Sequence, residues 1–286
     1  MKGSGRAEER LENIQSVEPI LNALRTVSQA SMQTARRKLG GAARYGRDIL
    51  ELASWLPGEG PDGMQAGARR RTLLVVLGSD RGLCGTFNKD LVEVLSALLA
   101  QMEEERREVE VWILGHRLKS SLDREEILVD HVEGFAKGSV PDFQRALQLA
   151  ESIQAGFKEG RFGRVLILMN KRLQAERTRS EVEQLLPMKM KDVQGKAERW
   201  PPPILETDPE ELRERIRKQA VEVNLYRFLL TSSAAEHAAR FHLLENASQN
   251  MERLTEELEM EVQLARQQAI TTEMMDLIAA AGLIKP

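Results

Sequence analysis

The chain has 286 residues, 42% hydrophobic and 30% charged, with a net charge of −3. That length holds one to two domains, and the small net charge gives no electrostatic footprint for nucleic acid. A single cysteine, Cys84, excludes an internal disulfide, and no apolar run approaches the ~18 residues of a membrane span. The charged start at 6–10 lacks the apolar core of a signal peptide, so the chain reads as soluble, meeting a membrane only through partners.

Residues 1–55 read as one coiled-coil helix. Leu11, Ile14, Leu21, Leu24 and Ser28 recur at three- and four-residue steps and make one apolar stripe. Ser28, Ser31 and Ala35 are small where a close helix partner would want small side chains. Pro19 should bend or weaken the first turns, and Gly40, Gly41 and Gly46 weaken the far end. Residues 56–70, rich in Gly and Pro, read as a linker.

Residues 71–200 change pattern. Strands are expected at 72–77, 109–114 and 165–169, and helices at 89–102, 141–157 and 181–186, the last ended by Pro187. This alternation predicts a Rossmann-like α/β unit with a mostly parallel sheet. Trp200-Pro201-Pro202-Pro203 is a stiff connector. Residues 201–286 then form a second coiled-coil helix with an apolar tip. Between Glu210 and Ala281 there is neither glycine nor proline. Thr207-Asp208-Pro209 supplies a cap and a proline suited to the first helical position, and Gly282 lies past the end. As one helix this run would be about 110 Å long, against about 30 Å for a small domain, so it demands a partner.

Met251, Leu254, Leu258, Val262, Ala265, Ala269 and Thr272 suggest a seam that narrows toward the C-terminus. Antiparallel pairing with a shorter N-terminal helix leaves roughly 20 residues overhanging. The overhang carries Met274, Met275, Leu277, Ile278, Ala279, Ala280, Ala281, Leu283 and Ile284, apolar around much of its circumference. Such a tip calls for an enclosing protein. Arg266, Gln267 and Thr271 lie on the narrowing part. They read either as an ordinary exposed face or as hydrogen-bonding groups offered to that protein.

The turn at 79–88, Ser-Asp-Arg-Gly-Leu-Cys-Gly-Thr-Phe-Asn, follows the first strand and opens a helix, where α/β folds often place phosphate loops. It matches neither a P-loop nor a dinucleotide fingerprint. The plain reading is a structural turn; the alternative is ligand binding, with Cys84 as a nucleophile. His116, His131, His237 and His242 show no partner spacing for a metal, and no cofactor is called for.

This turn closely resembles a signature of the gamma subunit of F-type ATP synthases. The residues that carry it are Asp80, Arg81, Gly82, Cys84, Gly85 and Asn88, with Thr86 replacing a usual glycine. Glu236-His237-Ala238-Ala239-Arg240 followed by Ala247-Ser248-Gln249-Asn250 resembles a second family block. Ala265-Arg266-Gln267-Gln268-Ala269-Ile270-Thr271-Thr272-Glu273 resembles a third, and Asn170 with Leu185-Leu186-Pro187 is similar to the end of the family's central domain. The likeness spans nearly the whole chain. Pro19 and Thr26-Val27-Ser28-Gln29-Ala30-Ser31-Met32 depart from the family's N-terminal pattern. With one cysteine, the thiol switch of chloroplast relatives is not expected.

The resemblance implies a non-catalytic central rotor stalk at the cytoplasmic face of the cell membrane. Its partners would be a hexamer of alpha and beta subunits (one such chain per three of each), the epsilon subunit and the c-ring. Arg266, Gln267, Ile270, Thr271, Met274, Leu277 and Ile278 would touch alpha and beta subunits. An α/β enzyme using Cys84 and the 80–88 loop, or a coiled-coil adaptor, are the competing readings.

Overall fold

In the computed structural model, residues 2–54, 71–174, 177–188 and 206–280 are described. The chain divides into two compact units, a terminal one (Met1–Val27 with Phe241–Pro286) and a central one (Ser28–Arg240). Helices α1 (Lys2–Ser54) and α5 (Pro209–Ala280) contribute to both.

The central unit holds a five-stranded sheet of order β3-β2-β1-β4-β5. Its elements in chain order are β1 (Thr72–Leu77), α2 (Phe87–Glu104), β2 (Val109–Leu114), α3 (His116–Leu122), a 3-10 turn (Asp123–Glu125), β3 (His131–Glu133), α4 (Phe143–Lys158), β4 (Arg164–Gln174) and β5 (Arg177–Leu186). β1 pairs in parallel with β2 and β4, β2 in parallel with β3, and β4 antiparallel with β5. The mixed α/β architecture with a mostly parallel sheet is the one expected.

β1 is buried at every position, as a central strand covered on both faces should be. Leu73, Val75 and Leu77 face α4 residues Leu149 and Ile153 together with Val221, Leu225 and Leu229 of α5. Leu74 and Val76 face α2 and α3 through Leu91, Leu95 and Leu118, and Ala235 joins that cluster. α5 therefore passes from one face of the sheet to the other, and Ser232 Oγ donates to the carbonyl of Leu77 at the end of β1 (3.1 Å). At this strand end Gly115 has φ +122°, and a Cβ there would meet the Gly78 carbonyl carbon at 2.7 Å. Only glycine fits.

The helix expected at 181–186 is instead β5. Glu and Gln favour helices only weakly, and pairing along β4 overrides them, placing Leu185 and Leu186 in the core. Short β3 and α3 also escaped the sequence. The linker at 56–70, the connector at 200–203, and Ala281, Gly282, Leu283 and Ile284 lie outside the described residues.

The two long helices pair antiparallel within each unit. In the central unit Ile49 packs on Ile216, Ala220 and Val223, and a Cβ on Gly46 would stand 3.3 Å from Val223 Cγ1. Ser28, Ala35, Ala42 and Ile49, seven residues apart, are all buried, a heptad repeat of mostly small side chains. In the terminal unit Ala7, Leu11 and Ile14 pack on Leu258 and Val262. Arg25 pairs with Glu245 (2.9 Å), and Ser248 Oγ donates to Asn22 Oδ1 (3.2 Å). α1 runs on through Pro19. α5 begins at Pro209, with Asp208 Oδ1 accepting the Glu210 N–H (3.4 Å), as the cap signal implied.

Four seam assignments differ from expectation. Leu254 is 45% exposed and Leu24 is also turned outward. Leu244, Ser248, Met251, Thr255, Leu258, Val262 and Ala265 are all at least partly buried, at alternating steps of four and three. A 3.5-residue repeat puts Thr255 rather than Leu254 on the seam. Ala269 and Thr272 are exposed as well.

Candidate functional site

The turn between β1 and α2 is held from the inside. Asp80 spends both carboxylate oxygens on backbone amides: Oδ1 accepts from His116 (3.1 Å), and Oδ2 from Phe135 (2.9 Å) and Ala136 (3.3 Å). This ties the loop to the start of α3 and to the segment after β3. Asn88 Oδ1 accepts the Ser79 N–H (3.1 Å), and Asn88 Nδ2 donates to Ser79 Oγ (2.7 Å), which donates to the carbonyl of Arg81 (2.9 Å). Gly85 adopts φ +59° and Leu83 the same left-handed value. Thr86, where the family pattern has glycine, sits at φ −82°, so no glycine is needed.

These bonds bear on the two readings of the turn. A phosphate loop needs free amides converging on one point. Here the Ser79 amide goes to Asn88, the Phe87 amide to the Cys84 carbonyl and the Asp90 amide to the Thr86 carbonyl. Cys84 is 4% exposed, with Ser79 Oγ at 3.6 Å. Burial pushes its thiol up from the ordinary value, opposed by the Ser79 hydrogen bond, so the nucleophilic thiolate is disfavoured.

The second block clamps the first. Arg240 Nε donates to the carbonyl of Gly82 (3.1 Å) and Nη2 to that of Arg81 (3.4 Å). Arg240 Nη2 also donates to Glu236 Oε1 (2.6 Å), four residues earlier on α5. His237 Nε2 lies 2.5 Å from the Ser139 carbonyl, and its Nδ1 lies 3.2 Å from Arg240 Nη1. A carbonyl only accepts and a guanidinium only donates, so the imidazole is neutral with its proton on Nε2. Burial, together with the neighbouring Arg240 and Arg81, pushes the His237 pKa down, in agreement. Burial pushes the Glu236 carboxyl up, and Arg240 opposes it. Asn170 Nδ2 donates to the Phe87 carbonyl (2.7 Å) and Asn170 Oδ1 accepts from Ser180 Oγ (2.6 Å), closing the turn from β4 and β5. Sequence reasoning found these blocks as signatures and missed their bonding. The i, i+4 spacing of Glu236 and Arg240 was the available signal.

Arg266, Gln267 and Thr271 belong to the terminal unit, on exposed α5. Arg266 Nε and Nη2 both donate to Glu8 Oε1 (3.2 and 3.0 Å). Thr271 Oγ1 donates to the carbonyl of Gln267 (2.8 Å). From Arg266 to Leu277 every residue is exposed, with Ile270 at 65% and Leu277 at 70%, while Ile278 is partly covered. α1 starts at Lys2 and reaches Arg266 through Glu8. Among the described residues no helix is long and apolar enough to cross a membrane, and no group of three His, Cys, Asp or Glu could hold a metal.

The family model described as ATP synthase matches residues 5–282. The chain is 28% identical to an ATP synthase gamma chain of Geobacter metallireducens, over 97% of each. It is 26% identical to that of Thermobifida fusca, over 96% of this chain and 94% of that one. Its fold is similar to a chain from the central stalk and c-ring of Tetrahymena thermophila mitochondrial ATP synthase, with TM-score 0.57, 23% identity, and coverage of 80% of this chain and 99% of that one. It is also similar to a chain from the OSCP/F1/c-ring structure of Euglena gracilis mitochondrial ATP synthase, with TM-score 0.63, 16% identity, and coverage of 98% and 94%. Matching a single model across almost its whole length, the chain belongs to the ATP synthase family, among the gamma chains.

Proposed function

We infer that this chain is the central stalk of an F-type ATP synthase, coupling rotation of a membrane c-ring to ATP synthesis and hydrolysis on the beta subunits. The observation that carries this is the exposed apolar end of α5, Ile270, Met274, Met275 and Leu277, on a gamma-family chain. Apolar side chains clustered on one helix end are stable in water only when a partner covers them. The enclosing alpha and beta subunits are that partner. Arg266, Gln267 and Thr271 hydrogen-bond to their loops, and Ile270, Met274, Leu277 and Ile278 sit in their apolar collar.

The chain's role is mechanical. It carries no catalytic group and is inactive alone. Its asymmetric helix pair contacts the three catalytic sites differently, and each site shifts between open and closed forms by the difference in contact free energy. The central α/β domain meets the epsilon subunit and the c-ring, so the chain stays at the cytoplasmic face of the cell membrane through its partners. The enzyme alternative is disfavoured by the buried Cys84 and the internally bonded turn.

Mixing the chain with its cognate alpha and beta subunits tests the reading. One copy per three of each, with stimulated ATP hydrolysis, is expected. Absence of assembly, or ATP hydrolysis by the isolated chain, overturns it.

A further inference from the structure

We infer that Glu8, near the opposite end of the chain, is the positioning residue that aims the Arg266 guanidinium at its acceptor on an enclosing subunit. This rests on the reading of Arg266 as a partner contact. Both donors that Arg266 gives to Glu8, Nε and Nη2, lie on one edge of the planar guanidinium and meet a single oxygen, Oε1. An arginine has five N–H donors in a rigid fork, so fixing one edge fixes the direction of the other. The remaining Nη1 edge belongs to a side chain that is 67% exposed. It presents a pre-oriented pair of donors to a carboxylate or a backbone carbonyl.

The seam explains how a short Glu side chain reaches. Glu8 follows buried Ala7, and Arg266 follows partly buried Ala265, beside Val262. Small seam residues let the two helices come close, and the flanking pair then spans the gap. An exposed ion pair contributes little to stability. Its value here is a lowered ordering cost when Arg266 is captured, because its rotamer is already chosen.

The test is a double-mutant cycle in the reconstituted complex, reading ATP hydrolysis and hydrolysis-driven ion pumping, with Glu8→Ala, Glu8→Gln, Arg266→Ala and the Glu8→Ala/Arg266→Ala pair. Glu8→Ala should lower coupled turnover roughly two- to fivefold, the range an exposed ion pair can supply. Glu8→Gln, which keeps an acceptor oxygen, should retain most of it. In the Arg266→Ala background Glu8→Ala should have no further effect, since it acts through Arg266. Losses that multiply, or a Glu8→Ala complex with full turnover where Arg266→Ala loses it, overturn the positioning role alone. An Arg266→Ala complex with full turnover overturns the contact reading beneath it.

Discussion

Arg240 reaches from α5 to the carbonyl of Gly82 in the turn after β1 (3.1 Å), joining two sequence blocks 158 residues apart. The same guanidinium neutralises Glu236, and both side chains are only 9% exposed. Replacing Arg240 with Met leaves a buried carboxylate unpaired and two turn carbonyls without their donor. That should cost about 3–5 kcal/mol. Glu236→Gln with Arg240→Met should be less damaging than Arg240→Met alone, because the stranded charge is gone. Urea denaturation of the two variants measures this, and equal midpoints for single and double variants would remove the charge argument.

How much of this clamp was legible in the sequence depends on which kind of signal it left. The strands at 72–77 and 109–114 announced themselves, because a β-branched apolar run between polar turns has few other fates. The long helix was legible from its missing glycines and its cap. β5 was not, since Glu181, Glu183 and Gln184 carry helix propensity and only the neighbouring β4 makes them a strand. The turn residues could be found as a pattern, but that Asp80 bonds three amides around His116 and Phe135 is a fact of three-dimensional return, invisible to spacing. Leu254 was misplaced because its step of three from Met251 fits a helix face as well as the step of four to Thr255 does. The register of the partner helix chooses between them.

His237 should make stability fall as the solution is acidified. Its folded pKa lies below the ordinary value of 6.5, chiefly through burial. The unfolded chain therefore takes up a proton in a range where the folded chain does not. The stabilisation is complete above about pH 6.5 and declines as pH falls toward the folded pKa, by at most about 1.4 kcal/mol per pH unit for one proton. Burial of Glu236 raises its carboxyl and acts with the opposite sign, losing stability as pH rises above its ordinary value of 4.5. His237→Gln keeps a donor for the Ser139 carbonyl and removes the titration. Its denaturation free energy should fall less than that of the unaltered chain between pH 7.5 and 5.5, and parallel curves would contradict the assignment.

Glycine has opposite value at different places. Gly40 and Gly41 lie in helix α1 with open space where a Cβ would go. Alanine at either should stabilise by about 0.5–1 kcal/mol, by removing the backbone entropy glycine loses on folding. Gly115→Ala meets the backbone of Gly78 at 2.7 Å at φ +122°. It should destabilise by more than about 1–3 kcal/mol, strain and clash together. Thermal melts of the three variants should bracket the unaltered chain, two above and one far below. A Gly115→Ala protein of ordinary stability would mean that the ends of β1 and β2 are looser than their geometry implies.

The end of α5 should be separable from the fold that carries it. Met274, Met275 and Leu277 are exposed and touch no core cluster among the described residues, whereas the sheet and its clamp are sealed by Leu225, Leu229, Ser232 and Arg240 far upstream on the same helix. Deleting residues 275–286 should therefore leave the denaturation midpoint of the central unit within about 0.5 kcal/mol of its value, as for a surface change away from packed features. Assembly with alpha and beta subunits, or ATP-driven torque, should fall severalfold, because the apolar surface the partners cover is shortened. If the truncated chain lost its sheet signal in circular dichroism, the tip would be part of the fold. If it assembled and turned over at the full rate, the apolar end would have no collar to fill.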